Sequence, residues 1–109
     1  MTNSRQKGKR GELEWAKFLN EKVPTANARR GQQYEGSSDS PDVVSALPFH
    51  WEVKRVQQLN LHDAVDKCRA ESGYGRWPAV AHRKNDRKWV VSMDAGDFLK
   101  LVELALGDL

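Results

Sequence analysis

Pro41-Asp42-Val43-Val44, followed a few residues later by Trp51-Glu52-Val53-Lys54-Arg55, is the stretch that decides the fold. Trp51 and Val53 alternate with Glu52 and Lys54, which is the period-two pattern of a β-strand. The apolar pair lies on one face and the acid and amine project together from the other. Asp42 opens a second short apolar run, and the segment from Ser45 to Phe49, with Pro48 inside it, is short enough to turn the chain back. A hairpin about that turn places Asp42 beside Val53 and Lys54. Two carboxylates and an ammonium group then meet at one sheet edge, a costly grouping unless a cation or an anionic ligand completes it.

This grouping suits metal-assisted phosphodiester hydrolysis. Mg²⁺ takes hard oxygen ligands, commonly one or two carboxylates with water and substrate phosphate completing the shell. A nearby lysine orients water or neutralises developing charge. An exposed Glu-Lys alternation would account for Glu52-Val53-Lys54 alone, but it leaves Asp42 unexplained. Glu12 adds weight. Residues 7–23 read as an amphipathic helix with Trp15, Ala16, Leu19 and Val23 on one stripe, and Glu12 falls inside that stripe. Glu14 and Glu21 fall on the opposite, solvated side. An acid on a core-facing stripe must be paired, neutralised or bound to a positive group; a helix start that has not yet reached the core is the plainer explanation.

Lys7-Gly8, Glu12, Ser37-Ser38, Pro41-Asp42 and Glu52-Val53-Lys54, in that order, resemble the PD-(D/E)XK nuclease superfamily. Within it the chain is most similar to Holliday junction resolvases of archaeal and phage type. The resemblance implies an α/β fold with a restriction-endonuclease-like core, a central mixed β-sheet flanked by helices. It also implies a metal-dependent DNA endonuclease in which Glu12, Asp42, Glu52 and the backbone carbonyl of Val53 hold Mg²⁺, with Mn²⁺ able to substitute. Lys54 becomes the catalytic lysine and either Ser37 or Ser38 the loop serine. Where many members carry a glutamine on the following helix, this chain has Lys67, a departure from the pattern. The implied partner is branched or four-way-junction DNA, and cutting both strands of a junction implies a homodimer. Another nuclease of the superfamily, nicking, restriction-like or fork-processing, and an inactive DNA-binding module are the competing expectations.

Composition agrees. A chain of 109 residues has the size of one domain, here residues 1–109. Lysine and arginine number 18 against 15 acids, a net charge of +3. Basic residues cluster at Arg5, Lys7, Lys9 and Arg10, at Arg29 and Arg30, and at Arg83, Lys84, Arg87 and Lys88. Together with Arg55 these are candidates for tracking a phosphate backbone, although charged residues also simply decorate turns and termini. The single cysteine, Cys68, excludes an internal disulfide and lies on the apolar stripe of a helix, where it acts as a small hydrophobe. His50, His62 and His82 have no metal-ligand spacing. No apolar run spans a membrane and no signal-peptide core follows the basic start, so an intracellular, cytoplasmic protein is expected; the resemblance implies phage or prophage origin.

The remaining elements form a scaffold. Residues 26–30 suggest a short strand, and Gly31 to Ser40 a polar loop approaching the site. Asn60 to Glu71 reads as a helix stopped by Gly73 and Gly75. Tyr74 and Trp77 either anchor that glycine-rich stretch or stack on bases. Residues 79–83 and 88–92 suggest a hairpin, and Asp94 reads as the N-cap of a final helix through Leu106 whose broad apolar surface a second subunit would cover.

Overall fold

The computed structural model of the protein describes residues 4–31, 40–73 and 75–107. Its elements run α1 (Ser4–Lys22), a single 3₁₀ turn (Pro24–Ala26), β1 (Arg29–Arg30), β2 (Val43–Val44), β3 (Phe49–Arg55), α2 (Leu61–Glu71), β4 (Trp77–Arg83), β5 (Val90–Ser92) and α3 (Ala95–Leu106). The five strands form one mixed sheet in the order β1-β2-β3-β4-β5. Only β3 and β4 are parallel, in register from Phe49 opposite Trp77 to Arg55 opposite Arg83, with α2 as their crossover. The other pairs are antiparallel. The α/β architecture with a helix-flanked mixed sheet is the one expected.

The period-two pattern of β3 serves two cores. On one face Trp51 packs with Trp15, Ala16 and Leu19 of α1 and with Val43, Ala79 and Ala81, while Trp89 and Phe49 close over them. The Trp15 ring lies 5.1 Å from Trp51 and 5.0 Å from Trp89. Each buried tryptophan removes roughly 150–250 Å² from water, a gross gain on the order of 4–6 kcal/mol at about 25 cal/mol per Å². On the other face Ala64 and Cys68 of α2 cover Val80. Cys68 donates to the carbonyls of His50 (3.4 Å) and Ala79 (3.7 Å), and burial pushes its pKa up to about 12, so it is the inert core thiol its stripe suggested.

Caps set the helix starts. Asn60 accepts from the Asp63 N–H (3.3 Å) and Asp94 from the Asp97 N–H (3.1 Å). The expected strand over residues 26–30 is shorter than its sequence suggested. Pro24 favours a 3₁₀ turn, Asn27 turns left-handed at φ 48°, and only Arg29 and Arg30 pair with β2. The Asn20 side chain then grips the Ala28 backbone through both its N–H and its carbonyl, at 2.7 and 2.9 Å, fixing where β1 begins. Among the described residues no helix is long and apolar enough to cross a membrane.

Candidate functional site

Asp42 is positioned by a local irregularity in the hairpin. Val43 stands opposite Trp51 in register, yet the Asp42 N–H also goes to the Trp51 carbonyl at 2.9 Å. Two residues of one strand against one of its neighbour make a β-bulge, which re-aims the side chain next to it. The Asp42 carboxylate consequently accepts from the Val53 N–H at 2.9 Å. The approach is tight on the other side as well, because the Gly31 N–H donates to the Asp42 carbonyl at 2.8 Å. A Cβ on Gly31 would fall 2.0 Å from the Pro41 carbonyl oxygen, so only glycine fits.

Glu52 lies one residue before Val53 on β3 and is only 4% exposed. Lys54 reaches it from the same strand (3.5 Å), and Lys67 reaches it from α2 (3.8 Å). The Lys67 amine thus points at the same carboxylate as Lys54 does. The Lys67 side chain is 58% exposed against 33% for Lys54, so solvent screens its pair more strongly.

Electrostatics tie the acids together. Burial lifts the Asp42 pKa to about 7, the Glu52 and Glu12 carboxylates push the same way, and the Val53 N–H and Lys54 pull it down. Glu12 therefore bears on Asp42 across the α1–sheet junction. Its own partner is Arg30, whose Nε stands 2.6 Å from the Glu12 carboxylate with Glu12 14% exposed. The core-facing acid is thus paired, as its stripe required.

Two expectations are corrected. The acids do not meet at a sheet edge, since β3 is the middle strand. Its far side is taken by β4, returned in parallel through α2, and α2 roofs the face that carries Glu52. Glu14 is not on the solvated side of α1. It holds Arg55 (3.3 Å) and Arg83, and Arg55 also donates to Asn85 (2.9 Å). The signal lay in Gly11 and Phe18, which widen the buried stripe toward Glu14. Gly11 is buried, and a Cβ there would sit 2.6 Å from that of Arg55.

Of the candidate DNA contacts, Lys9, Arg10, Arg29 and Lys84 are exposed, whereas Arg30, Arg55 and Arg83 are held by carboxylates. Ser37, Ser38 and Tyr74, and the side chain of Lys7, lie outside the described residues. Trp77 opens β4, half-buried, and its backbone N–H donates to the Pro48 carbonyl (2.8 Å). His82 meets Ser92 at 2.9 Å, and burial lowers its pKa. His50 is buried at 2% exposure, away from any approaching substrate.

A divalent cation is tested by the donor set itself. Among the described residues no group of three or more His, Cys, Asp or Glu side chains is drawn together closely enough to hold a metal. Glu12 is engaged by Arg30, which leaves Asp42 and Glu52. Two carboxylates, one of them pushed up to about 7 chiefly by burial, fit the modest protein share of a Mg²⁺ shell. No family model, curated protein or solved structure matches this chain. The chemistry of these side chains carries the functional reading.

Proposed function

We propose that the protein is a Mg²⁺-dependent DNA endonuclease of the PD-(D/E)XK type, acting on branched DNA as a junction resolvase. The observation that carries this reading is the placement of Asp42, held by the Val53 N–H at 2.9 Å, beside the buried Glu52 and its Lys54 partner at 3.5 Å; the raised pKa of Asp42 agrees with it. Asp42 and Glu52 would hold the cation, with the Val53 carbonyl beside them. Bound there, it would polarise the phosphoryl oxygen and lower the pKa of water. Lys54 would donate to a phosphate oxygen and offset the charge that builds there. Lys67 would help hold Glu52 in place. Glu12, paired with Arg30, would be available as a third ligand only if phosphate competed for that guanidinium.

Paired cuts require two copies of the site. A second copy is the partner this reading calls for, and the uncovered apolar face of α3 offers the area for it. The competing reading, a DNA-binding module without activity, draws on the Arg30–Glu12 pair, which holds one acid away from any cation.

Cleavage of a labelled four-way junction beside a matched linear duplex, with Mg²⁺ or EDTA, separates these readings. Metal-dependent paired cuts at the junction are expected, and Glu52→Gln should lower the rate at least about 100-fold while DNA binding persists. If the Glu52→Gln variant cuts at the parental rate, the metal assignment is overturned. Equal cutting of duplex would leave the hydrolysis and remove the preference for junctions.

A further inference from the structure

The second flank of α1 forms a groove that the metal site does not use. It runs between α1 and the β4–β5 hairpin with a volume of about 550 Å³. Its floor is aromatic, with Phe18 and Trp89, and Trp89 is locked against Trp15 at 5.0 Å. One rim carries Lys17 and Lys22 from α1 and the other Arg87 and Lys88 from the hairpin, all four exposed. These pairs are more than sixty positions apart in sequence and face each other only because the sheet closes on α1. Glu14, at the groove's base, is already neutralised by Arg55 and Arg83. Glu21 is the other acid lining the groove.

We propose that this groove is a second nucleic-acid contact, gripping the phosphate backbone of a duplex arm that continues past the catalytic end of β3. The inference rests on the nuclease reading for its placement: Arg55, the residue after Lys54, bonds Glu14 at the base of the groove (3.3 Å), so the groove begins where the site ends. Lys54 and Arg55 leave β3 on opposite faces, and a strand running over the C-terminal ends of β3 and β4 meets one and then the other. The character of the cations selects the ligand. A compact anion calls for converging, buried donors, whereas these four are exposed and spread over two rims. That is the pattern for a polyanion whose charges repeat along a line, where each neutralised phosphate releases counterions. The aromatic floor offers an apolar surface to the deoxyribose faces without demanding a base sequence.

The test is the combined Lys17→Ala/Arg87→Ala/Lys88→Ala variant of the full chain, with exposed Lys100→Ala on α3 as control. Binding of a short labelled duplex and of a four-way junction is measured in EDTA across a salt series, and cleavage in Mg²⁺ separately. The triple variant should lose about tenfold or more in affinity, with the log K against log salt slope shallower by about 0.9 for each phosphate no longer neutralised. The control and the melting temperatures should match the parent. Parental affinity and slope in the triple variant would overturn the groove and leave the nuclease reading standing. A parent that binds with the expected loss in the variant, yet cuts nothing in Mg²⁺, would support the groove and overturn the nuclease reading. A parent that does not bind DNA at all would overturn the groove, with cleavage alone judging the rest.

Discussion

Asp42 concentrates the tension of the site in one side chain. Its folded-state pKa of about 7 lies above the ordinary 3.8, chiefly through burial. A raised carboxylate pKa stabilises the fold while the group stays protonated. The contribution is full below about 4, is lost progressively as pH rises toward 7, and above 7 the metal-free protein carries a buried charge with too little compensation. Asp42→Asn removes the titration and keeps an acceptor for the Val53 N–H. Its melting temperature should exceed the parent's by roughly 4 °C or more at pH 8 and by clearly less at pH 5, in EDTA. Mg²⁺ should raise the parent's melting temperature more at pH 8 than at pH 6 and leave the variant unmoved, because the cation binds the deprotonated form. Thermal melts at these pH values check both effects, and a pH-independent difference would mean Asp42 is not strained by its neighbours.

At the scale of elements, local chemistry was legible and adjacency was not. Trp15, Ala16 and Leu19 announced α1, the run from Asn60 to Glu71 announced α2, Asp94 announced the cap of α3, and the alternation around Glu52 announced β3 and its hairpin with Val43. Those signals lie within a few residues of the structure they specify. That β3 is central depends on a parallel pairing with β4 through α2, and nothing in the β3 residues records which strand will lie beyond them. The position of Glu14 was hidden for a related reason. Its partners Arg55 and Arg83 end two different strands, and the three meet only when the sheet is assembled. Of the site, Asp42 with Val53 and Glu52 with Lys54 were readable because a hairpin and an alternation join them. The Arg30–Glu12 and Lys67–Glu52 pairs join elements distant in sequence. Gly31 shows how closely β1 and β2 are drawn together: Gly31→Ala forces the Pro41 backbone aside, and urea denaturation should register a loss of at least about 1 kcal/mol. Asp42 should shift with it, so metal-induced stabilisation should weaken in the same variant.

Among the described residues, little of the molecule covers α3. None of its residues is buried, Phe98, Leu99, Leu104 and Leu106 are 51–72% exposed, and Val91 of β5 lines the same cleft as Phe98. A patch of this kind on so small a chain calls for a partner, and the resolvase reading supplies one. Sedimentation equilibrium should give twice the chain mass for the parent and the chain mass for Leu99→Lys/Leu104→Lys, with the fold retained since both side chains lie outside the core. A parent that sediments as a single chain at every concentration would remove the symmetric dimer from the proposal. The same architecture separates what is fixed from what can vary. Gly31 and Asp42 are hydrogen-bonded to each other, so the two points where β1 ends and β2 begins are held together. Closing a loop costs free energy that grows only with the logarithm of its length, about 0.6 kcal/mol for each doubling. The Gly31–Asp42 hydrogen bond therefore fixes how far apart those two ends stand, and the closure cost of lengthening the chain between them stays small.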